Sequence, residues 1–300
     1  MIGKGSVNMK KTLIIGSSVC DVIIRLHRIP RQTEDENIIS QELTMGGCAY
    51  NVANVLRRHQ IPFDLFSPIG TGIYGNFVRE HFIENKIPIL IETEQRNGCC
   101  YCLVDDSGER TFICEHGAEY FYHEEWFHQL DTSLYEQVYI CGLEIEETSG
   151  NLIIDFLEKN PHFTIYFAPG PRIHDIDEEK LRRIFALHPI LHLNKSEILS
   201  YTKQDDLHKA AAMLFQFTNR PVIVTLGADG SFYYDKDESL YSSAFECQVV
   251  DTIGAGDSHI GSILASRAFY LPWRDTLNNA NLTAAEVVSQ KGASLKNVHD

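Results

Sequence analysis

The stretch Val249 to Ala265, VVDTIGAGDSHIGSILA, constrains this chain more than any other. An apolar strand end runs into Asp251-Thr252, a turn follows with Gly254 and Gly256 around Ala255, and Asp257 stands at the mouth of an apolar helix. Glycines let the backbone take positive φ and come close to a ligand, and successive amides in such a turn form a concavity for an anion. The helix adds its positive dipole end and its unpaired N–H groups, so a phosphate is the natural guest. A carboxylate repels that guest unless it takes a proton from a nucleophile attacking it, as in phosphoryl transfer. The plainer reading of Asp257 is a helix N-cap. The choice between them depends on whether the rest of the chain supplies a place for an acceptor and one for a nucleotide.

Three other stretches bear on that choice. Thr12 to Ile15 reads as a buried strand, and Gly16-Ser17-Ser18 leads to Asp21, just past the strand's C-terminal end, where open α/β sheets bind ligands. A turn or cap aspartate is the alternative there. Gly46-Gly47 precedes a helix from Ala49 to His59 with Val52, Val55 and Leu56 as its apolar stripe. Asn51 falls in its first turn and offers a donor and an acceptor to a pair of hydroxyls. Asn194-Lys195-Ser196-Glu197 follows the strand Ile190 to Leu193. Asn and Glu three apart in a first helical turn face one side and can hold a hydrated Mg²⁺, or they form a capping pair.

DTIGAGD followed by a helix, with GGCAYNVA at Gly46 to Ala53 upstream, resembles the ribokinase-like (PfkB) carbohydrate kinase family from about Leu13 to Ser294. The resemblance implies an α/β fold, with a mostly parallel central sheet covered by helices on both faces and a small β-sheet lid. Residues 12–296 then form one kinase domain with lid segments at about 37–45 and 97–115, and residues 1–11 are a flexible tail. The implied activity is transfer of the γ-phosphoryl group of ATP, with Mg²⁺, to a hydroxyl of a small sugar or nucleoside. Asp257 is then the general base, and the amides of Gly254, Ala255 and Gly256 stabilise the transferring group.

By the same resemblance Asp21, Gly47, Asn51 and Glu144 meet the acceptor, and Tyr50 tunes which acceptor fits. Glu146 and Glu147 beside Glu144 leave a solvated helix-start acid as an equal reading. Asn194 and Glu197 lie near the phosphates and the metal. Thr225, Gly227 and Gly230 in the strand Pro221 to Gly230 form a nucleotide-side loop, while Asn281 and the Lys-Gly-Ala-Ser at 291–294 wall the adenine pocket. In some relatives that wall also helps bind a monovalent cation such as K⁺, and here the chain runs only six residues further. The lid is often a dimer contact. Ala168 stands where the family often has Asp, so the sugar is not named from Arg172, although an arginine there could meet an anionic or polar substituent, and His259 replaces an aromatic or apolar residue.

Two other classes remain open. Gly70-Thr71-Gly72-Ile73-Tyr74-Gly75 is a literal GxGxxG after a β-prone run from Phe63 to Ile69, the signature of an NAD-dependent oxidoreductase. It does not follow the first strand, as a dinucleotide fold would have it. A non-catalytic sugar or nucleotide sensor on the same scaffold is the other.

Composition narrows the partners. A net charge of −15 argues against nucleic acid and requires local neutralisation of any polyanionic substrate. Met1 to Lys11 is polar and the apolar runs are of strand length, which predicts a cytoplasmic chain with reduced thiols and no membrane segment. Cys99, Cys102, Cys114 and His116 have a partial zinc-ligand spacing, but Cys99 and Cys102 lie on a strand where their side chains point to opposite faces.

Overall fold

Leu13, Ile14 and Ile15 are each fully shielded from solvent, so the first strand, β1 (Lys11–Ile15), runs through a sheet covered on both faces. The computed structural model describes residues 9–290 and 292. Residues 1–8 of the expected tail therefore lie outside the described residues, and its bound at 11 is corrected because Lys11 already pairs in β1; all but Gly292 of the expected wall at 291–294 also lie outside them.

β1 lies between β4 (Phe63–Phe66) and β9 (Tyr135–Cys141), and the sheet continues in parallel through β10 (Thr164–Ala168), β11 (Ile190–Asn194) and β12 (Val222–Thr225). Two antiparallel strands, β13 (Ser231–Tyr234) and β14 (Ser239–Ser242), complete eight. The strand expected over 221–230 ends at Thr225 because the chain doubles back. Gly227 and Gly230 take φ of 62° and 99°, and Leu226 N–H donates to Gly230 O at 2.8 Å.

One face of the sheet buries Ile14, Tyr139, Tyr166 and Ile223 under α1 (Cys48–Arg58), α2 (Gly72–Glu84), α9 (Ala255–Ala268) and α10 (Trp273–Val288). The other buries Leu13, Val138 and Phe167 under α5 (Gly150–Glu158), α6 (Glu178–Ala186), α7 (Lys195–Thr202) and α8 (Leu207–Thr218). The short helices α3 (Glu124–Phe127) and α4 (Gly142–Glu146) add Phe127 and Ile145 to this second face. Together the helices give the expected sheet covered on both faces.

A separate four-stranded sheet has the order β3 (Ser40–Gly46), β2 (Val19–Arg25), β7 (Cys99–Val104), β8 (Arg110–Glu115). The segments expected at 37–45 and 97–115 supply three of its strands, joined at one end by the turn at 105–108 with Gly108 at φ 82°. The fourth, β2, corrects the sequence reading. Asp21 is not in a loop past a core strand but in the middle of β2, in register with Thr44 and Cys100. The run expected as one strand from Phe63 to Ile69 also divides. Pro68 cannot donate to a ladder, and after Ser67 the chain leaves the main sheet as β5 (Pro68–Thr71), which among the described residues pairs only with β6 (Ile91–Arg96).

Candidate active site

Helices α1 and α9 cross closely because α9 lacks a side chain at the contact: a Cβ on Gly261 would stand 2.9 Å from Val55 Cβ. The crossing brings Asn51, in the first turn of α1, to Asp257, in the first turn of α9. Asn51 Nδ2 donates to Asp257 Oδ2 at 2.8 Å. Asn51 Oδ1 is buried and has no partner among the described residues. An unsatisfied buried acceptor of this kind costs about 1–3 kcal/mol, which a ligand hydroxyl would recover.

Asp21 hangs from β2 into the same space. The paired glycines make room for it: a Cβ on Gly46 would lie 2.0 Å from Asp21 Oδ2, and one on Gly47, at φ 97°, 2.5 Å from Ser17 O. They accommodate the protein's own carboxylate and turn, and Gly47 also borders the space. Asp21, Gly47, Asn51 and Asp257 line a cavity of about 500 Å³ between the two sheets. Phe112 and Cys114 of β8 and Cys100 of β7 form part of its wall, the last two with sulfurs 3.4 Å apart.

Both aspartates resist ionisation. Burial, and then the charge of Asp257, push Asp21 up to about 7. Burial raises Asp257 as well, against hydrogen bonds from Asn51 and Cys48 that favour its charged form. Arg172 also borders the cavity, and its guanidinium pairs with Glu146 at 3.1 Å.

Glu144 stands apart from the expectation of an acceptor contact. Its carboxylate is buried, accepting from Ser17 N–H at 2.7 Å and lying 2.7 Å from Cys141 Sγ, and Glu144 does not line the cavity. It supports the turn at 16–18 from behind. The ambiguity among its neighbours resolves into partners, since Glu146 meets Arg172 and Glu147 meets His116.

Asn194 and Glu197 form a full capping box on α7, and both border the cavity. Glu197 accepts from Asn194 N–H at 2.8 Å and from Nδ2 at 2.7 Å, and burial raises its pKa. No cluster of three metal-ligating side chains occurs among the described residues. An oxygen donor pair already hydrogen-bonded, beside an open cavity, fits a Mg²⁺ ion that keeps its waters and takes its other ligands from phosphates.

A second cavity of about 460 Å³ lies between the β12–β13 turn, the irregular stretch at 244–249 and α10. Gly227, Gly230 and Asn281 line it, with Ala228, Ala284 and Ala285. A Cβ on Gly230 would lie 2.0 Å from Ser242 O, and Asn281 Nδ2 donates to Ser242 O and Ser243 O at 2.9 and 3.1 Å, so both pin the wall. Thr225 and Gly256 border both cavities. The junction is thus the end of β12 against the N-terminus of α9, where Gly254 caps the helix with φ 73°. First-turn amides of a helix have no intrahelical partner, and Ala255 N–H makes only a 3.3 Å turn bond to Thr252 O.

His259 settles into the wall between the cavities. It lies 2.9 Å from His192 and 3.2 Å from Asn281 Oδ1, and burial pushes it down to about 4, so it is neutral. Sequence reasoning missed His192, since a single histidine in a buried strand carries no local signal. It also missed the wall at 244–249, whose apolar residues follow no strand or helix period.

The GxGxxG turn lies elsewhere. Gly70 and Gly75 border neither cavity, and each fits against backbone: added Cβ atoms would strike Gln95 O at 2.2 Å and Gly70 O at 2.4 Å. These glycines pack α2 onto β5.

A family model described as pfkB family carbohydrate kinase matches residues 9–299. An uncharacterized sugar kinase of Escherichia coli strain K12 is 33% identical over 288 residues, covering 94% of this chain and 90% of that protein. Among solved structures, a ribokinase from Thermotoga maritima matches with a TM-score of 0.83 at 21% identity, covering 95% of each chain. An Arabidopsis thaliana ribokinase complexed with ribose and ATP matches with 0.78 at 16% identity, covering 94% of this chain and 94% of that one. The structural matches carry the fold.

Proposed function

The chain belongs to the pfkB family of carbohydrate kinases, and on that premise we propose that it transfers the γ-phosphoryl group of ATP to a hydroxyl of a small sugar or nucleoside held in the larger cavity. The observation that carries this is the Asn51–Asp257 pair: a carboxylate held in place by one end of an amide whose other end is buried without a partner. Asn51 Oδ1 accepts from one acceptor hydroxyl, and Asp257 takes the proton from the hydroxyl that attacks. A base whose pKa is raised towards the working pH is suited to that transfer.

Asp21, facing Asp257, accepts from further hydroxyls, and Gly47 completes that wall. Amides of Gly254, Ala255 and Gly256 stabilise charge on the phosphoryl group where the two cavities meet. Thr225, Gly227, Gly230 and Asn281 border the nucleotide. Glu197, with Asn194, would hold Mg²⁺ through its waters, and the ion would neutralise phosphate charge. The four-stranded sheet serves as a lid: Phe112 and Cys114 border the cavity but are exposed in this structure, and closing further over a bound acceptor would exclude water and so suppress ATP hydrolysis.

The test is ADP release from Mg-ATP across a panel of sugars, sugar acids and nucleosides, with wild type and Asp257→Asn. Acceptor-dependent release that vanishes in the variant is the expected result. Binding of acceptor and ATP without release would instead make the protein a sensor.

A further inference from the structure

The inner face of the small sheet extends beyond the acceptor cavity. Arg110, Phe112 and Cys114 alternate along β8 and so share a face. Phe112 and Cys114 border the cavity, whereas Arg110, at the start of the strand, reaches the loop that precedes α9. There Arg110 Nη1 donates to Asp251 Oδ1 at 2.6 Å. The Asp251 side chain is only 6% exposed, so solvent does not screen the pair as it would at the surface.

Asp251 is a junction. Its Oδ1 also accepts from Ile253 N–H at 2.9 Å, its Oδ2 accepts from Gly292 N–H at 2.9 Å, and its own N–H donates to Val288 O at 3.1 Å. It fixes the start of the glycine turn and ties that turn to the end of α10. Burial would raise its pKa, but the guanidinium and the two amides outweigh burial and keep it charged.

We propose that Arg110 is a positioning residue, whose ion pair with Asp251 latches the edge strand of the lid to the glycine turn, so that closure over the acceptor and the set of the phosphoryl-binding amides form one coupled state. The role of those amides rests on the kinase reading, but the mechanical coupling does not. With the latch broken, β8 opens from the cavity and the turn at 252–257 loosens together with it. Asp251 is left as a buried charge without its cation, a strongly destabilising situation.

The test is hydrogen–deuterium exchange on the full chain without substrates, comparing wild type, Arg110→Ala, Arg110→Lys, Asp251→Asn and the double variant Arg110→Ala/Asp251→Asn. Arg110→Ala should speed exchange about tenfold or more both in 110–115 and in 252–257. Millimolar guanidinium should restore protection in both segments, Arg110→Lys should lie between, and the double variant should exceed neither single variant by much. Faster exchange in 110–115 alone, or effects of the two single variants that add, would overturn the latch. Because exchange needs no turnover, an absence of ADP release from wild type would count against the kinase reading and leave the latch standing. With the kinase reading intact, Arg110→Ala should also lower kcat about tenfold while raising acceptor-independent ATP hydrolysis.

Discussion

The two cavities meet at Thr225 and Gly256 yet are built on opposite principles. The larger gathers its polar groups from β2, α1, α7 and α9, stretches far apart in the chain, and carries Asp21, Asp257, Glu197 and Arg172. The smaller comes from residues 225–288, is lined by alanines with Phe245, Val249 and Val288, has Glu246 as its one acidic side chain among the described residues, and its histidine is neutral. A cavity with many ionisable groups discriminates by hydrogen bonds, since a mispaired polar group there is costly. A slot lined by small side chains discriminates by shape. Chemistry and acceptor choice should therefore respond to single polar substitutions, and nucleotide affinity to added volume.

The sharpest attempt to break that contrast is Asp257→Ala. It should lower kcat by about 10²- to 10⁴-fold with little change in ATP KM, and steady-state rates showing a loss below tenfold would remove Asp257 as the base. Asn51→Ala comes next. The acceptor KM should rise by roughly tenfold or more while ATP KM stays within about twofold; equal shifts in both would erase the division between the cavities.

A pH profile is the third probe. Since both aspartates must give up protons that the cavity helps them keep, kcat/KM for the acceptor should fall as pH drops below about 7, while nucleotide affinity in the same range stays flat. Asp21→Asn removes one carboxylate from the pair and should move that acid limb to lower pH. On the other side, Ala285→Phe should raise ATP KM about tenfold by filling the slot, and leave acceptor KM alone.

The smallest effect is on stability. Folded Asp21 keeps its proton up to about 7, whereas an ordinary aspartate loses it near 3.8. Between those values the folded state binds more protons than the unfolded one, so Asp21 withdraws stability as pH rises. Asp21→Asn should accordingly raise the ligand-free Tm by about a few degrees at pH 8 and scarcely at pH 4; an equal gain at both would point to packing instead.

What the sequence disclosed, and what it hid, divides along the same line. The glycine turn and Asp257 are contiguous, as is the Asn194–Glu197 box, so their geometry could be read locally. Asp21 could be chosen as an acceptor residue but not placed, because β2 pairs with β7 and nothing near Asp21 announces a strand so far along the chain. Glu144, left open between an acceptor contact and a solvated acid, could not be placed for a related reason. An acid at a strand end faces a ligand or the protein's interior depending on the turn above it, and Ser17 N–H claims this one. The His192–His259 contact joins β11 to α9 across the core, and no spacing encodes such a meeting.

Asp21 belongs to the four-stranded sheet proposed as the lid, not to the main sheet beneath it. On the proposed reading, an acceptor that reached Asp21 and Asn51 together would bridge the two parts of the molecule, and part of its affinity would be spent on bringing them together. A compound that fills the cavity but cannot span that gap is not simply held less well. It leaves the site ajar, and the protein weighs candidates by whether they can shut the door behind themselves. If that bridge held after transfer too, product departure would wait on the sheet lifting away, and the opening step would be a natural limit on turnover.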